Sequence, residues 1–490
     1  MFFSAYTFGC KLNQLETEAI TDSFCREGFT FVPWNAASFR FTKEAASEKL
    51  SVPSLSPHLM VINTCTVTSL AEQKARRLIR KLHREYPKMC LIITGCYAQV
   101  EEDVLASLDP ASGTLFVLPG EKKNSLLDLA RFLSDVEGES ISQQVASWMQ
   151  ALSSNTEAPQ TRGDFRFQPE TFTSHSRAFL KIQDGCNYRC TFCRTVIARG
   201  KSRSIAAVDA LEALKTLERN SFAEAVLTGV NISQYCDGDL NLTSLLEYFL
   251  SNTESIRIRL TSIDPNTFAL GTSSGAKGER AAAIQLLKHP RIQSHFHISL
   301  QSGSDAVLKK MARWYTSSDI EEMVQVLRLA KDDPFLACDV IAGFPGETDA
   351  DFQDTFSLCQ RIGFAWIHAF PFSPRPGTAA ASFPQRVSDR DTVHRMELLT
   401  NLAHKGRARY IERWIGKEVD AIVEQGEASS MGKGSKRGKG IPAVSENYLK
   451  LLVRTTNLKP ESRSLIRCRI LSGIINDPRF DALAEAIIIE

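Results

Sequence analysis

The chain has 490 residues, of which 43% are hydrophobic and 23% charged, the balance of an ordinary soluble globular protein. This composition excludes a collagenous or wholly disordered chain, and at about 150 residues per domain it predicts about three domains. No uncharged apolar run reaches the length of a membrane span and the N-terminus lacks a signal-peptide pattern, so we expect no membrane association and a cytoplasmic location.

The formal net charge of +2 conceals an uneven distribution of charge. Residues 405–490 carry 16 basic and 11 acidic side chains, whereas the rest of the chain is slightly acidic. A basic C-terminal segment indicates a polyanionic partner, although a solvated surface would give the same pattern. Twelve cysteines in a chain without a secretion signal favour metal or redox chemistry over a disulfide framework.

The first part of the chain, residues 1–137, alternates short apolar runs with helical spacing. The runs SAYTF, LMVIN and CLIIT predict buried parallel strands, and residues 12–28 and 67–86 predict helices, the second rich in Lys and Arg. This pattern predicts an open parallel α/β sheet. We interpret the polar stretch 42–58 as a surface insertion and residues 138–171 as a partly helical linker.

Residues 172–404 contain a second α/β series. Helical segments such as residues 206–219 and 318–331 separate most of the strand candidates, which are FLKIQ, EAVLTG, IRIRLTS, HFHISLQ, ACDVIAG and FAWIHAF. Six strand–helix units without a seventh and eighth predict a partial (β/α)6 barrel that is open on one side. From residue 405 to residue 490 we expect no helices but short strands that form a small β-barrel, with a basic, Gly-rich insertion at 429–442.

The strongest chemical motif is a C-x3-C-x2-C triplet, formed by Cys186, Cys190 and Cys193. Three thiolates on a short loop can hold three irons of a [4Fe–4S] cluster and leave the fourth iron without a protein ligand. That open iron can chelate S-adenosylmethionine, and one electron from the cluster can then cleave the sulfonium bond to give a 5′-deoxyadenosyl radical. The alternative is a zinc knuckle, which needs a fourth ligand such as His175.

Three further cysteines, Cys10, Cys65 and Cys96, each come just after a predicted parallel strand. Because the carboxyl ends of parallel strands share one edge of a sheet, we expect these thiols to converge there and to form a second three-thiol site. The alternative is that they are buried core residues. Core packing is expected for Cys25, Cys90, Cys338 and Cys359, and no role is assigned to Cys236 and Cys468.

Strand alternation identifies polar side chains that should face the barrel interior. In HFHISLQ and IRIRLTS, period two places His297 and Arg259 on polar faces, and Asp339 lies opposite Cys338. A polar interior is typical of an active site rather than of a packed core, so these residues are candidates for catalysis. The alternative for each is a structural hydrogen bond.

The segments TFGCKLNQLETE, VINTCTVT, TGCYAQ, KIQDGCNYRCTFC, ARGKSRS, LTGVNI, HFHISLQSGSDAVLKKMARWYT and DVIAGFPGETDADF occur in this order along the chain. Together they resemble the radical-SAM methylthiotransferases, and within that family the MtaB-type enzymes that act on tRNA. The resemblance implies an N-terminal domain that holds an auxiliary iron–sulfur cluster, a radical-SAM barrel and a C-terminal TRAM domain that binds tRNA. One departure stands out: Arg194, Thr195 and Val196 replace the usual Ile-Ile-Pro, which should leave the loop less constrained.

The resemblance also implies cofactors, partners and site residues. It gives the chain two [4Fe–4S] clusters, with Cys186, Cys190 and Cys193 as ligands of the cluster that binds S-adenosylmethionine and Cys10, Cys65 and Cys96 as ligands of the auxiliary cluster. An electron donor such as a flavodoxin or ferredoxin would reduce them. The residues that it places near S-adenosylmethionine are Thr228, Gly229, Asn231, Ser299 and Gln301.

The substrate that the resemblance implies is N6-threonylcarbamoyladenosine beside the anticodon of tRNA, converted to its 2-methylthio derivative. Related enzymes instead modify isopentenyladenosine in tRNA or an aspartate of a ribosomal protein, and both substrates remain alternatives. A radical-SAM enzyme whose second cluster only relays electrons is a third alternative. A fourth, from outside the enzymes, is an iron–sulfur RNA-binding protein that senses redox state.

Overall fold

The computed structural model describes residues 1–35, 40–41, 56–109, 113–134, 140–154, 165–268, 276–425, 440–454, 460–477 and 480–489. Most of the two predicted insertions, residues 42–55 and 429–439, lies outside these ranges. The chain divides into two compact units. Unit 1 comprises Met1–Thr173, Lys181–Tyr188 and Cys193–Ile205, and unit 2 comprises Ser174–Leu180, Arg189–Phe192 and Ala206–Glu490. Within the described ranges, no helix is long and apolar enough to span a membrane.

Unit 1 is built on a parallel sheet. Its first strands are β1 (Phe2–Thr7), β2 (Thr30–Phe31), β3 (Trp34–Asn35), β4 (Arg40–Phe41), β5 (Leu59–Thr64), β6 (Cys90–Gly95) and β7 (Leu115–Val117). Five of them form a parallel sheet in the order β2-β1-β5-β6-β7, whereas β3 and β4 pair with each other. Strands β5 and β6 are buried along their whole length, as expected for the centre of a parallel sheet covered on both faces.

Six helices accompany this sheet. They are α1 (Lys11–Arg26), α2 (Ser69–Glu85), α3 (Cys96–Val100), α4 (Glu102–Ala106), α5 (Leu126–Ser134) and α6 (Ile141–Ser154). The bounds of α1 and α2 agree with the two predicted helices to within two residues at each end. Thr68 caps α2 by accepting a hydrogen bond from the N–H of Ala71 at 3.2 Å, which satisfies one of the donors that the first helical turn leaves without a partner.

The predicted linker at residues 138–171 differs from the structure. Helix α6 buries Val145 and Trp148 in the same core cluster as Leu126 and Leu129, and Phe167 belongs to that cluster as well. The helix that was expected within this segment is α6, and its apolar face packs against the core of unit 1. Unit 1 therefore extends to Thr173, well beyond the predicted boundary at residue 137.

Four short elements follow in the region of the triplet. They are β8 (Ala178–Lys181), β9 (Gln183–Asp184), α7 (Thr195–Arg199) and β10 (Arg203–Ser204). Strands β9 and β10 pair antiparallel within unit 1. The triplet loop thus lies between β9 and α7.

Unit 2 contains the six predicted barrel strands in chain order. After β8 come β11 (Glu224–Thr228), then β12 (Arg257–Leu260) and β13 (Ser262–Ile263), which together correspond to the predicted strand IRIRLTS, and then β14 (His295–Gln301), β15 (Phe335–Ala342) and β16 (Trp366–Pro371). They form the sheets β12-β11-β8 and β13-β14-β15-β16, and only Thr261 separates β12 from β13. The helices of this region are α8 (Ala207–Arg219), α9 (Leu242–Asn252), α10 (Ala276–Leu287), α11 (Asp305–Lys310), α12 (Ser317–Ala330), α13 (Asp349–Ile362) and α14 (Asp389–Trp414). The parallel pairing and the alternation with helices agree with the predicted partial barrel.

The C-terminal part of unit 2 is a closed five-stranded barrel. Its strands are β17 (Glu418–Val423), β18 (Gly440–Ser445), β19 (Lys450–Arg454), β20 (Leu465–Asp477) and β21 (Phe480–Ile488), in the order β17-β18-β19-β21-β20. The expectation that helices stop at residue 405 was wrong, because α14 continues to Trp414. Tyr410 and Trp414 of this helix join a core cluster that includes Phe335 of β15 and Val419 of β17. The small barrel therefore shares its core with the end of the larger one.

Candidate functional site

The three cysteines predicted to converge all lie at one edge of the parallel sheet. Cys10 precedes the first residue of α1, Cys65 directly follows β5, and Cys96 directly follows β6 as the first residue of α3. The strand register brings these positions level, since Thr7 pairs with Asn63 and Thr64 with Gly95. This is the carboxyl edge of the sheet, where open α/β folds bind ligands.

The thiols influence one another electrostatically, which shows that they are close in space. The pKa of the Cys65 thiol is raised to about 12, chiefly by burial and then by the neighbouring Cys10 and Cys96 thiols, against lowering contributions from the N–H of Val67 and from Arg199. Gly9 also packs against Cys65, because a Cβ at Gly9 would lie 2.7 Å from the Cys65 Sγ. A thiol with so high a pKa stays protonated at neutral pH unless a metal takes the place of the proton.

One asparagine fixes the loops that carry two of these thiols. The Asn13 Nδ2 donates hydrogen bonds to the carbonyl of Phe8 at 2.9 Å and to the carbonyl of Thr64 at 3.0 Å. The Asn63 Nδ2 donates to the carbonyl of Asn13 at 3.0 Å. The loop before Cys10 and the end of β5 before Cys65 are therefore held together by buried amide contacts.

Beneath this edge lies a buried cluster of five charged side chains, all within unit 1. Its centre is Glu16, and its other members are Lys123, Lys181, Asp184 and Arg199. Burial alone would raise the pKa of the Glu16 carboxyl, but Arg199, Lys123 and Lys181 lower it to about 2. The cluster holds three cations and two anions, so it places an excess of positive charge beside the thiols.

Arg199 connects this cluster to a thiol. Its Nε donates to the Cys96 Sγ at 3.2 Å, its Nη1 to Glu16 at 3.0 Å and to Asp184 at 3.1 Å, and its Nη2 to the Asn13 Oδ1 at 2.6 Å. The sequence analysis assigned no role to Arg199 or Asn13. The only signal was their position in the segments ARGKSRS and KLNQ, because contacts across more than 180 residues leave no local pattern.

The triplet loop begins with a strained glycine. Gly185 has a φ of +69°, and a Cβ there would lie 2.0 Å from the carbonyl oxygen of Lys201, so only glycine fits. The Gln183 Nε2 donates to the carbonyl of Gly185 at 2.7 Å, and the N–H of Cys186 donates to the carbonyl of Gly200 at 3.1 Å. Backbone N–H groups also donate to the thiol sulfurs, from Tyr188 to Cys186 at 3.4 Å and from Thr195 to Cys193 at 3.4 Å.

The middle thiol of the triplet is held by an arginine of unit 2. The Arg313 Nη1 donates to the Cys190 Sγ at 3.1 Å, and its Nη2 donates to the carbonyl of Ser299 at 3.3 Å. The Tyr315 hydroxyl donates to the same carbonyl at 2.5 Å. Arg313 was not identified from the sequence. It links the triplet to Ser299, one of the residues predicted to lie near S-adenosylmethionine.

The position that departs from the family pattern is fixed by its side chain. Arg194 is buried, and its Nη2 donates to Glu101 at 2.9 Å while its Nη1 lies 3.6 Å from Glu72. The Nη1 is also 3.5 Å from the Thr66 hydroxyl, next to Cys65. These ion pairs within unit 1 tie the residue after Cys193 to Glu72 and Glu101, and the expectation of a less constrained loop stays a prediction.

The other residues predicted to lie near S-adenosylmethionine end β11 or β14. Thr228 is buried and donates to the carbonyl of Val226 at 3.0 Å, whereas Gly229 and Asn231 are half-buried just beyond that strand. Gln301 is half-buried at the end of β14 and has a φ of +63°, which is costly for a residue other than glycine. Strain of this kind is characteristic of binding sites. Binding of S-adenosylmethionine by these residues stays a prediction.

The predicted interior residues fall into two groups. The Nε2 of His297 lies 3.0 Å from the Oδ1 of Asp339, and its ring stacks on His368 at 5.1 Å; both His297 and Asp339 are partly exposed. Arg259 differs, because it is fully buried and donates to both oxygens of Glu224, at 2.6 and 2.8 Å. It also donates to the carbonyls of Ser445 and Glu446 in the small barrel. These contacts favour the structural alternative for Arg259, and its catalytic role stays a prediction.

The predicted burial of the remaining cysteines is only partly confirmed. All twelve lie in the described part of the chain, and none of them forms a disulfide. Cys90, Cys338, Cys359 and Cys468 are buried, whereas Cys25, expected in the core, is exposed on α1.

Within the described ranges, no three His, Cys, Asp or Glu side chains lie close enough to hold a single metal ion. Three thiolates can ligate three irons of a four-iron cluster, and the chain carries two sets of three cysteines. Cys10, Cys65 and Cys96 would hold one such cluster, and Cys186, Cys190 and Cys193 the other.

Comparisons with known proteins agree with this arrangement. Residues 180–359 match the model of the Radical SAM superfamily, and residues 3–116 match that of the uncharacterized protein family UPF0004. The threonylcarbamoyladenosine tRNA methylthiotransferase MtaB of Treponema pallidum (strain Nichols) is 35% identical, over 95% of this chain and 97% of that protein. The protein of the same name from Aquifex aeolicus (strain VF5) is 31% identical, over 85% and 91%. A tRNA-2-methylthio-N(6)-dimethylallyladenosine synthase of Methylacidiphilum infernorum (isolate V4) is 28% identical, over 85% and 83%.

Similarity of this extent confirms the predicted resemblance and fold class. The relatives match this chain over nearly their whole length, and the Radical SAM match contains the triplet loop. Enzymes of this kind use S-adenosylmethionine and two [4Fe–4S] clusters, in agreement with the two three-thiol sets. The chain belongs to the radical-SAM methylthiotransferase family.

Proposed function

We propose that this chain converts N6-threonylcarbamoyladenosine next to the anticodon of tRNA to its 2-methylthio derivative. The observation that carries the proposal is the presence of two separate three-thiol sets, one on the triplet loop and one at the carboxyl edge of the parallel sheet. Three thiols leave one iron of a four-iron cluster open. When bound, one cluster supplies the electron that cleaves S-adenosylmethionine, and the other supplies a place for the sulfur.

The protein side chains around the thiols position these groups. Arg313 holds Cys190 and the backbone of Ser299 in one network, and Arg199 holds Cys96 against a buried cluster with excess positive charge. Guanidinium groups that donate to sulfur stabilise its negative charge. Ser299 and Gln301, with Thr228, Gly229 and Asn231, would contact S-adenosylmethionine, and His297 and Asp339 would contact the substrate.

The substrate follows from the names of the relatives. Two proteins named for threonylcarbamoyladenosine are 35% and 31% identical to this chain, compared with 28% for one named for dimethylallyladenosine. The closed C-terminal barrel, with the surplus of basic side chains in residues 405–490, would act as the TRAM-like domain that binds tRNA. The reaction would take place in the cytoplasm, with a flavodoxin or ferredoxin as electron donor.

The experiment is nucleoside mass spectrometry on tRNA from a host that lacks its own methylthiotransferases. Expression of the chain should convert threonylcarbamoyladenosine to its 2-methylthio form, and a variant with Cys186, Cys190 and Cys193 changed to Ala should not. If isopentenyladenosine were methylthiolated instead, the proposed chemistry would stand and the proposed substrate would be wrong. No methylthio nucleoside, from a protein that is loaded with iron and cleaves S-adenosylmethionine, would overturn the proposed reaction on tRNA.

A further inference from the structure

The outer face of α2 carries a line of basic side chains. Lys74, Arg77, Arg80 and Arg84 are exposed and follow one another at intervals of three or four residues, which places them on one side of the helix. We call these four residues the α2 stripe. At a rise of about 1.5 Å per residue the stripe is about 15 Å long.

The α2 stripe has no balancing charge on the helix. None of its four side chains makes a hydrogen bond or ion pair with another described residue. The exposed acid on this helix, Glu85, lies 3.6 Å from Lys81, which is not part of the stripe. Like charges three or four residues apart destabilise a helix, whereas alternating Glu and Lys would stabilise it. The arrangement therefore costs stability, and such costs are characteristic of surfaces that serve binding.

The rest of unit 1 holds this face in a fixed position. The opposite face of α2 buries Ala75, Leu78, Ile79 and Leu82 in a core cluster with β5 and β6. Thr68 caps the helix only three residues after Cys65. The Lys74 end of the stripe is consequently the end nearer to the edge where Cys10, Cys65 and Cys96 converge, and the Arg84 end is farther from it.

We propose that the α2 stripe binds the sugar–phosphate backbone of the RNA substrate, as a second RNA-binding surface in addition to the C-terminal barrel. This inference rests on the proposed function, since it takes tRNA as the substrate. Three of the four residues are arginines, whose planar guanidinium matches phosphate with two parallel hydrogen bonds. Between Lys74 and Arg84 this side of the helix exposes no aromatic or apolar side chain, and the exposed Leu70 lies one turn before Lys74. A row of cations suits a strand of phosphates better than a protein interface. It leads the RNA toward the thiol edge.

The test compares tRNA binding by the full-length protein and two charge variants over a range of salt concentrations. The first variant changes the four stripe residues to Gln. The matched control removes the same charge at four exposed sites of unit 2 that lie outside the C-terminal basic segment: Arg219, Lys288, Lys309 and Arg390. Each phosphate contact adds about 0.7–0.9 to the slope of log K against log salt, so the loss of four cations should lower the slope by about 3–4. Its affinity near 0.1 M salt should fall by about ten- to a hundredfold, with a much smaller change in the control.

The variant must remain folded for this result to be interpreted. Because it relieves repulsion between like charges, its melting temperature should equal or exceed that of the unchanged protein. Equal slopes and affinities for the stripe variant and the unchanged protein would overturn the proposal and leave the proposed function intact. If the unchanged protein bound no tRNA, the proposed function itself would fail. If the stripe variant kept its tRNA affinity but was reduced more slowly by an acidic flavodoxin, the surface would bind an electron donor, and the RNA proposal would be wrong.

Discussion

Substitution of Arg259 by Met tests whether this arginine is structural, as its contacts indicate, or catalytic, as strand alternation predicted. The change removes two charge-assisted hydrogen bonds to Glu224 and leaves that carboxylate buried, with a side-chain exposure of 1%. Removing one partner of a buried pair costs about 3–5 kcal/mol. Arg177 lies 3.9 Å from the same carboxylate and would still stabilise part of its negative charge. We therefore expect the free energy of unfolding to fall by about 3 kcal/mol.

Two further variants separate the charge effect from the effect of volume. The double variant Arg259→Met with Glu224→Met removes both charges, and its stability should return to within about 1 kcal/mol of the unchanged protein. Arg257→Met is the control on the same strand, because Arg257 makes a more exposed ion pair with Asp420 at 2.6 Å. It should cost less than about 1 kcal/mol.

Thermal unfolding of the three variants, followed by fluorescence, provides the measurement. At about 2–4 °C per kcal/mol, Arg259→Met should lower the midpoint of unfolding by about 6–12 °C. The double variant should recover most of that loss, and Arg257→Met should change little. If Arg259→Met melted like the unchanged protein but made no methylthio product, the structural assignment would be refuted and Arg259 would belong to the active site.

Three other predictions concern unit 1. Cys65→Ala should still cleave S-adenosylmethionine under reductant but make no methylthio product, whereas Cys186→Ala should do neither; product from Cys65→Ala would contradict the auxiliary site. Glu16 has a folded pKa of about 2 against an ordinary value of 4.5, so its ionisation stabilises the fold above pH 4.5 and that contribution is lost as the pH falls toward 2. The free energy of unfolding, measured with urea, should therefore fall by about 3 kcal/mol less in Glu16→Gln than in the unchanged protein as the pH is lowered from 4.5 toward 2. An equal fall in the two proteins would refute this assignment. Arg194→Ala should cost about 2 kcal/mol by leaving Glu101 and Glu72 without their shared cation. A much smaller loss should follow Arg166→Ala, whose ion pair with Asp128 is exposed.

The parts of the fold that follow from local pattern were predictable. Apolar runs located β5 and β6, helical spacing located α1 and α2, and the position of Cys65 and Cys96 after strand ends placed both thiols at one sheet edge. Each of these inferences uses residues that are close in sequence, together with a general rule about parallel sheets. The six barrel strands were found in the same way.

The contacts that complete the site could not be predicted, because they join residues far apart in the chain. Arg199 meets Glu16 across 183 positions, and Arg313 meets Cys190 across 123. Alternation correctly placed Arg259 opposite two apolar neighbours, but it could not show that Glu224 and the small barrel cover that face. A periodic pattern identifies the face of a strand, and only the tertiary structure shows what lies against it.

The contacts of Asn13 bear on the order in which the protein is assembled. They join the loops of Cys10 and Cys65 through amide and carbonyl groups alone, without using a sulfur atom. Iron should therefore enter a chain that is already folded, in contrast to small zinc domains whose folding depends on the metal. Oxygen that destroys a cluster should leave the same frame in place, ready to be refilled.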